Sequence, residues 1–137
     1  MDTTDHGPAP YVTNIEQATI QNNNYRATIW TGKNLQLTVM SIAPGHDIGL
    51  EVHNDNDQFL RIEQGQAKVK MGPSQDDLTS QPAKSEDAIF VPAGTWHNVI
   101  NTGQEDLKVY SVYGPAHHPH GTIHPTKEDA EEAEANE

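Results

Sequence analysis

The sequence contains no cysteine among its 137 residues. Disulfides, thiolate metal ligands and a cysteine nucleophile are therefore excluded. Basic residues are also scarce, because 8 Lys and Arg stand against 20 Asp and Glu, for a formal net charge of −12. Nucleic acids and anionic membranes are bound through clustered Lys and Arg, so a chain this acidic is poorly suited to either partner. We expect a small-molecule substrate or ligand as the partner, with no nucleic acid and no membrane.

Long apolar runs are absent as well, since none approaches the roughly 20 residues of a membrane-spanning helix. The opening segment, MDTTDHGPAP, has neither the basic nor the apolar region of a signal peptide. We therefore expect a cytoplasmic protein. The length suits one domain. We predict a disordered lead-in over residues 1–10, a folded domain over 11–125, and an acidic tail over 126–137 that is a frayed helix or disordered.

The folded part consists of short segments rich in β-branched and aromatic residues, with turn-forming residues between them. The clearest segments cover residues 26–30, 35–42, 59–62, 67–71, 88–91, 97–100 and 107–113. Turn clusters between short alternating segments are typical of antiparallel strands. Many short strands in one small domain predict an all-β sandwich or closed barrel.

Four polar residues within or beside these strands are candidate metal ligands. Glu51 and His53 are two apart in a predicted strand, so their side chains point to the same face. Gln58 opens the next strand, and His97 follows a Pro-Gly turn far downstream. Two imidazoles, a carboxylate and a neutral oxygen would suit Fe²⁺, Mn²⁺, Ni²⁺ or Zn²⁺. Alone, the Glu-x-His pair is more often a solvent-facing pair on an edge strand, so both interpretations remain open.

The spacing of these residues resembles the first of the two cupin motifs. That motif is Gly, five residues, His-x-His, three or four residues, Glu, six residues and Gly. The corresponding positions here are Gly45, Glu51, His53, Gln58 and Gly65. The spacing agrees throughout, while two positions hold a different residue type.

A second segment resembles the other cupin motif, which is Gly, five residues, Pro-x-Gly-x-x-His, three residues and Asn. Pro92, Gly94, His97 and Asn101 match it, and Glu86 occupies the place of the leading Gly. We expect Gly45, Gly65 and Gly94 to serve turns that need a positive φ.

This resemblance implies a single all-β domain, a double-stranded β-helix or jelly-roll barrel, with one divalent metal near its open mouth. The positions that match the family ligands are Glu51, His53, Gln58 and His97. Glu51 replaces a His and Gln58 replaces a Glu, so the set still carries one negative charge. We interpret the exchange as a retuned metal site, with a metal-free barrel as the alternative.

Further residues are candidates for catalysis, beside Glu51, which is suited either to bind the metal or to act as a base. Tyr110 and Tyr113 lie on the last strand with opposite parity, so at most one faces the interior, and we name Tyr110. His118 and His124 belong to a second histidine cluster, residues 117–124. This segment is either a solvated loop or a cover over the barrel mouth that supplies an imidazole for proton transfer.

The resemblance to small single-domain cupins of the sugar-isomerase-like kind implies a metal-dependent enzyme. The metal would act as a Lewis acid in an isomerase or lyase reaction on a sugar or keto acid. The alternatives are a metal-dependent dioxygenase and a non-catalytic cupin that binds a small ligand. We also expect a homodimer that covers exposed sheet edges, with residues 25–30 contributing to the contact.

Overall fold

The computed structural model describes residues 4–135, and two antiparallel sheets dominate that part of the chain. The first sheet has six strands in the order β6-β3-β8-β2-β1-β9, and the second has three in the order β5-β4-β7. The prediction of an all-β double-stranded β-helix is confirmed. The strands are β1 (Arg26–Thr31), β2 (Gln36–Ile42), β3 (Asp57–Gln64), β4 (Gln66–Ser74), β5 (Asp77–Lys84), β6 (Ala88–Val91), β7 (Trp96–Asn101), β8 (Leu107–Gly114) and β9 (Ile123–His124).

Two helices flank the sheets, α1 (Ile15–Gln21) and α2 (Lys127–Ala135). Helix α1 is not expected from the sequence, because it has only 7 residues and is too short for a clear helical period. It begins at Asn14, whose side-chain oxygen accepts a hydrogen bond from the Gln17 amide at 3.0 Å. In the described part of the chain, neither helix is long and apolar enough to cross a membrane.

The side chains that point inward between the sheets change from apolar to polar along the barrel. Strand register pairs Met40 with Val109 and Ile42 with Leu107, and these form the apolar half of the interior. Further along the same strands, Thr38 pairs with Ser111 and Gln36 with Tyr113, all buried. Gln58 of β3 also pairs with Tyr113. These inward side chains form the polar half of the interior, which comprises Thr28, Gln36, Thr38, Gln58, Ser111 and Tyr113, while Arg26 pairs with Met40 at its border with the apolar half.

Both ends of the described chain are attached to the barrel. The buried Asp5 carboxylate accepts hydrogen bonds from the Thr31 amide at 3.0 Å and hydroxyl at 2.6 Å, and from Gly121 at 3.1 Å. The sequence predicted a disordered lead-in there, and it did not reveal these long-range partners. Residues 1–3 of that lead-in lie outside the described residues.

The acidic tail, predicted as a frayed helix or disorder, forms α2 up to Ala135, and residues 136–137 lie outside the described part. Ala130 is 2% exposed and packs in the main core. Lys127 forms an ion pair with Asp47, and Arg26 binds Glu134 at 3.2 Å. One small residue and two ion pairs therefore dock a helix that has no broad apolar face.

The predicted glycine turns are confirmed, with φ values of +79° at Gly45, +102° at Gly65 and +82° at Gly94. Glu86 stands where the second motif would have its leading Gly, and it has a φ of +78°. The turn therefore keeps a left-handed conformation although the glycine that favours it is absent.

Candidate metal centre

Glu51 and His97 are brought together by backbone pairing. The Glu51 amide donates to the His97 carbonyl at 3.0 Å, and the His97 amide donates to the Glu51 carbonyl at 2.9 Å. These two hydrogen bonds form an isolated antiparallel bridge between Glu51, which lies outside the named strands, and His97 of β7. Directly opposed residues of an antiparallel pair place their side chains on the same face. The predicted strand around Glu51 is in fact reduced to isolated bridges of this kind.

His53 completes a three-residue cluster with these two side chains, as its position two residues after Glu51 predicts. The Glu51 Oε1 atom lies 3.2 Å from His53 Nε2 and 3.5 Å from His97 Nε2. One potential ligand atom from each residue lies within 4.8 Å of the others. The His97 side chain is 1% exposed and that of Glu51 24%, so the cluster lies inside the barrel with one side toward the mouth. These distances suit three ligands arranged around one ion.

The His97 ring is oriented as metal-binding histidines usually are. Its Nδ1 lies 3.0 Å from the Thr95 carbonyl oxygen, which fixes the proton on that nitrogen. Its Nε2 is buried and makes no hydrogen bond. A buried nitrogen without a partner is unfavourable. A cation bound between the three side chains would satisfy it, so the donor set fits a divalent metal.

The carboxyl group of Glu51 is ionised in this setting. Burial alone would raise the pKa of Glu51, but its close contacts with His53 and His97 outweigh burial and hold the pKa well below its ordinary value. The group is therefore a carboxylate, which is the form that binds a metal.

Gln58, the fourth predicted ligand, faces the interior from the six-stranded sheet. Its Nε2 donates to the Ser111 hydroxyl at 3.3 Å, and its Oε1 is buried without a hydrogen-bond partner. An amide oxygen left without a partner is suited to a cation, although its role as a ligand stays a prediction.

The candidate catalytic residues are distributed differently from the sequence prediction. Tyr110 points to the outer face of the sheet and packs with Ala27, Ile29 and Val39. The interior position on β8 belongs instead to Tyr113, whose ring lies 5.9 Å from that of His53. Alternation along β8 allowed either assignment, and the choice of Tyr110 was wrong.

Residues 115–122, which we call the histidine loop, fold back over the polar half of the interior. His118 is buried, and its Nε2 lies 3.4 Å from the Tyr113 hydroxyl. Burial, together with the positive charge of Arg26, lowers the pKa of His118 to about 2, so the ring is neutral. His117, which the sequence analysis did not single out, places its ring 4.0 Å from that of His53. His124 lies beyond the loop in β9, where it pairs with Arg26 of β1.

A double-stranded β-helix with two histidines and a carboxylate in its interior has the arrangement of a cupin barrel with a possible metal site. Comparison with known proteins gives the same family, since a model described as "Cupin domain" matches residues 38–113. Bacillus subtilis YrkC is 60% identical over 131 residues, which cover 95% of this chain and 70% of YrkC. An Acanthamoeba polyphaga mimivirus protein is 44% identical over 114 residues, covering 82% and 70%. The chain belongs to the cupin family.

Solved structures agree with this assignment. The crystal structure of BH2720 from Bacillus halodurans has a TM-score of 0.93 and 54% identity, covering 94% of this chain and 98% of that one. Bacillus subtilis oxalate decarboxylase has a TM-score of 0.59 at 20% identity, covering 64% of this chain and 23% of that one. This second similarity shows the shared fold alone.

Proposed function

We propose that this protein is a metal-dependent cupin enzyme that acts on a small sugar- or keto-acid-like molecule, by an isomerase or lyase reaction. Glu51, His53 and His97 would hold one divalent ion, with Gln58 as a fourth ligand. The buried, unpartnered Nε2 of His97, 3.5 Å from an anionic carboxylate, is the observation that carries the proposal. Bacillus subtilis oxalate decarboxylase, which has a similar fold, contains Mn(II) centres. This similarity supports a metal in this type of barrel.

A bound divalent ion would act as a Lewis acid toward a carbonyl or enediolate oxygen of the substrate. The Thr95 carbonyl fixes the tautomer of His97, and the negative charge of Glu51 balances part of the positive charge of the ion. Tyr113 is fully buried, and burial raises the pKa of its hydroxyl, so it keeps its proton. The Tyr113 hydroxyl and the neutral His118 ring, 3.4 Å apart, form a hydrogen-bonding pair beside the site.

Metal analysis of the untagged protein tests this proposal. We expect about one ion per chain in the parent protein and none in a His97→Ala variant. A His46→Ala variant, which removes an exposed histidine, is the matched control and should keep the metal. Equal metal content in the parent and His97→Ala proteins would contradict the proposal, as would a parent protein without metal after reconstitution. Either result would favour a cupin that binds a small ligand without catalysis.

A dioxygenase is the second candidate, because two histidines and one carboxylate are also the ligand set of many non-haem iron oxygenases. The identity of the bound ion and the consumption of oxygen distinguish the two reactions. Iron together with oxygen uptake in the presence of a substrate would support the dioxygenase. Turnover with zinc or manganese and no oxygen uptake would support the isomerase or lyase.

A further inference from the structure

Arg26 is a charged side chain in the interior of the barrel. Its neighbours Ala27 and Ile29 on β1 pack on the outer face with Tyr110, so Arg26 and Thr28 point inward. The register agrees, because Arg26 pairs with Met40, a residue of the interior core. The side chain of Arg26 is only 3% exposed. A cation this deeply buried is unfavourable unless negative charge compensates it.

Within the described residues, negative charge compensates the positive charge of Arg26 only in part. Arg26 Nη1 lies 3.2 Å from Glu134 Oε1, and the Glu134 side chain is 46% exposed on the surface helix α2. The Nε of Arg26 is buried and has no hydrogen-bond partner. A guanidinium has five N–H donors suited to bind a carboxylate through two parallel hydrogen bonds. Glu134 therefore uses only part of the hydrogen-bonding capacity of Arg26, and a carboxylate bound through two hydrogen bonds would use more of it.

The polar half of the interior connects Arg26 with the metal centre. Burial raises the pKa of Tyr113 and lowers that of His118, and the positive charge of Arg26 acts on both groups in the lowering direction, which places the guanidinium in their electrostatic neighbourhood. The Tyr113 ring in turn lies 5.9 Å from the ring of His53. Thr38 Oγ1, in the row next to Arg26 on the sheet, is also buried without a hydrogen-bond partner. Arg26 Nε, Thr38 Oγ1 and Gln58 Oε1 are thus unsatisfied polar atoms at inward-facing positions of the same six-stranded sheet.

Charge balance gives an independent argument. A divalent ion bound by Glu51 and neutral ligands keeps one net positive charge, and Arg26 adds a second that is shared with a half-exposed carboxylate. An anion between the two centres would neutralise this excess in a region of low dielectric constant.

We propose that Arg26 is the residue that selects a carboxylate-bearing substrate, and that Glu134 occupies its guanidinium until the substrate carboxylate displaces it. This inference rests on the proposed function, since it names the substrate class of the same site. An acid with an additional oxygen donor, such as an α-keto acid or a dicarboxylate, would reach both the metal and Arg26. A neutral sugar would offer no carboxylate to displace Glu134 from Arg26.

Calorimetric titration with malonate, using protein reconstituted with Mn²⁺, tests the inference, and neutral malonamide is the control ligand. We expect malonate to bind the parent protein and malonamide to bind far more weakly. Arg26→Gln should weaken malonate binding by roughly thirtyfold or more, as expected for loss of one partner of a buried charge pair. Glu134→Gln should tighten binding by about two- to fivefold, because it removes a partly exposed competitor. Glu128→Gln, the same change elsewhere on α2, should have no effect.

Arg26→Gln should weaken malonate binding, whereas Glu134→Gln should tighten it. If the Arg26–Glu134 ion pair were purely structural, Glu134→Gln would not tighten malonate binding, so the opposite effects distinguish substrate recognition from a structural role. Unchanged malonate affinity in a folded Arg26→Gln protein would overturn the inference. If Arg26→Gln does not fold, unchanged affinity in Glu134→Gln would overturn it instead. Metal content, measured on the same samples, reports separately on the proposed function. A protein that binds Mn²⁺ at Glu51, His53 and His97 but does not bind malonate would therefore contradict only the role of Arg26.

Discussion

At the scale of single residues, Glu51 is the only acidic member of the three-residue cluster. Its carboxylate faces two imidazoles, at 3.2 Å and 3.5 Å, and its pKa lies well below the ordinary value of 4.5. This arrangement serves a metal when one is bound. In metal-free protein the same contacts link folding to pH.

We predict that the metal-free protein loses part of its stability as the pH falls below about 4.5, and that Glu51→Gln loses less. Above that pH both folded and unfolded chains carry the carboxylate, so its full contribution is present. Below it the unfolded chain takes up a proton that the folded chain does not, which costs up to about 1.4 kcal/mol per pH unit. Urea unfolding with a chelator present, from pH 6 to pH 3, measures the difference.

Glu105→Gln is the control for this experiment, since it removes an exposed carboxylate at the end of a loop. Its stability should follow the pH dependence of the parent protein. Parallel curves for the parent and Glu51→Gln proteins would show that the carboxylate gains nothing from its two histidine neighbours.

Some residues of the candidate site could be predicted from the sequence, and others could not. Motif spacing identified Glu51, His53 and His97, because cupin ligand positions are set by strand lengths and turns that the sequence displays. The same spacing could not decide between Tyr110 and Tyr113, since alternation gives two faces without saying which is inside. His117 reaches His53 only through the path of the histidine loop, and no local pattern encodes that path.

At the scale of elements, one buried side chain makes three hydrogen bonds to the backbone of the histidine loop. Gln36 of β2 is fully buried and donates its Nε2 to the His118 carbonyl at 2.6 Å. Its Oε1 accepts from the amides of His117 at 3.0 Å and His118 at 2.8 Å. A single amide group therefore satisfies three backbone groups of the loop that covers the site.

Gln36→Leu should destabilise the protein by about 2–4 kcal/mol, because it leaves buried backbone donors and an acceptor unpaired. Metal content should change little, since Gln36 makes no hydrogen bond to the three cluster residues. Urea unfolding and metal analysis on the same preparations test both statements. Gln104→Leu, at an exposed loop position, should change neither quantity. A stable Gln36→Leu protein would mean that water replaces the amide without penalty.

The sequence pattern predicted the strands that have one apolar face, and it missed strands that have none. The seven predicted segments all overlap strands of the structure. Strand β5 (Asp77–Lys84) was missed because nearly all its residues are exposed, so it lacks an apolar face. It exists through pairing with β4, which is a tertiary effect. The docking of α2 depends in the same way on partners distant in the chain, Asp47 and Arg26.

At the scale of the whole molecule, the homodimer remains a prediction. Most of the segment expected to contribute to the contact, residues 25–30, is buried within the chain, including Tyr25, Ala27 and Ile29, and only Trp30 is half-buried. An exposed apolar surface exists elsewhere, on the outer face of the six-stranded sheet. Phe90 is 68% exposed and Leu35 53%, beside Phe59 and Val112.

We expect light scattering at neutral pH to give twice the chain mass of 15.1 kDa. Phe90→Lys should shift the protein toward the monomer, because it introduces a charge into the exposed apolar surface. Leu50→Lys, at an exposed position outside this surface, is the matched control and should leave the mass unchanged. A monomeric mass for the parent protein at micromolar concentration would contradict the dimer.

The separation of the barrel interior into an apolar and a polar half has a consequence for how this chain can diversify. The apolar half, with Met40, Ile42, Leu107 and Val109, supplies the burial that keeps the fold stable. The polar half faces the candidate metal centre from other rows of the same strands. Substitutions at Thr38, Gln58 or Ser111 can therefore alter chemistry while the apolar rows remain intact. A library of variants at those three positions would therefore sample new substrates. The stability of the fold should change little, because the apolar rows stay the same.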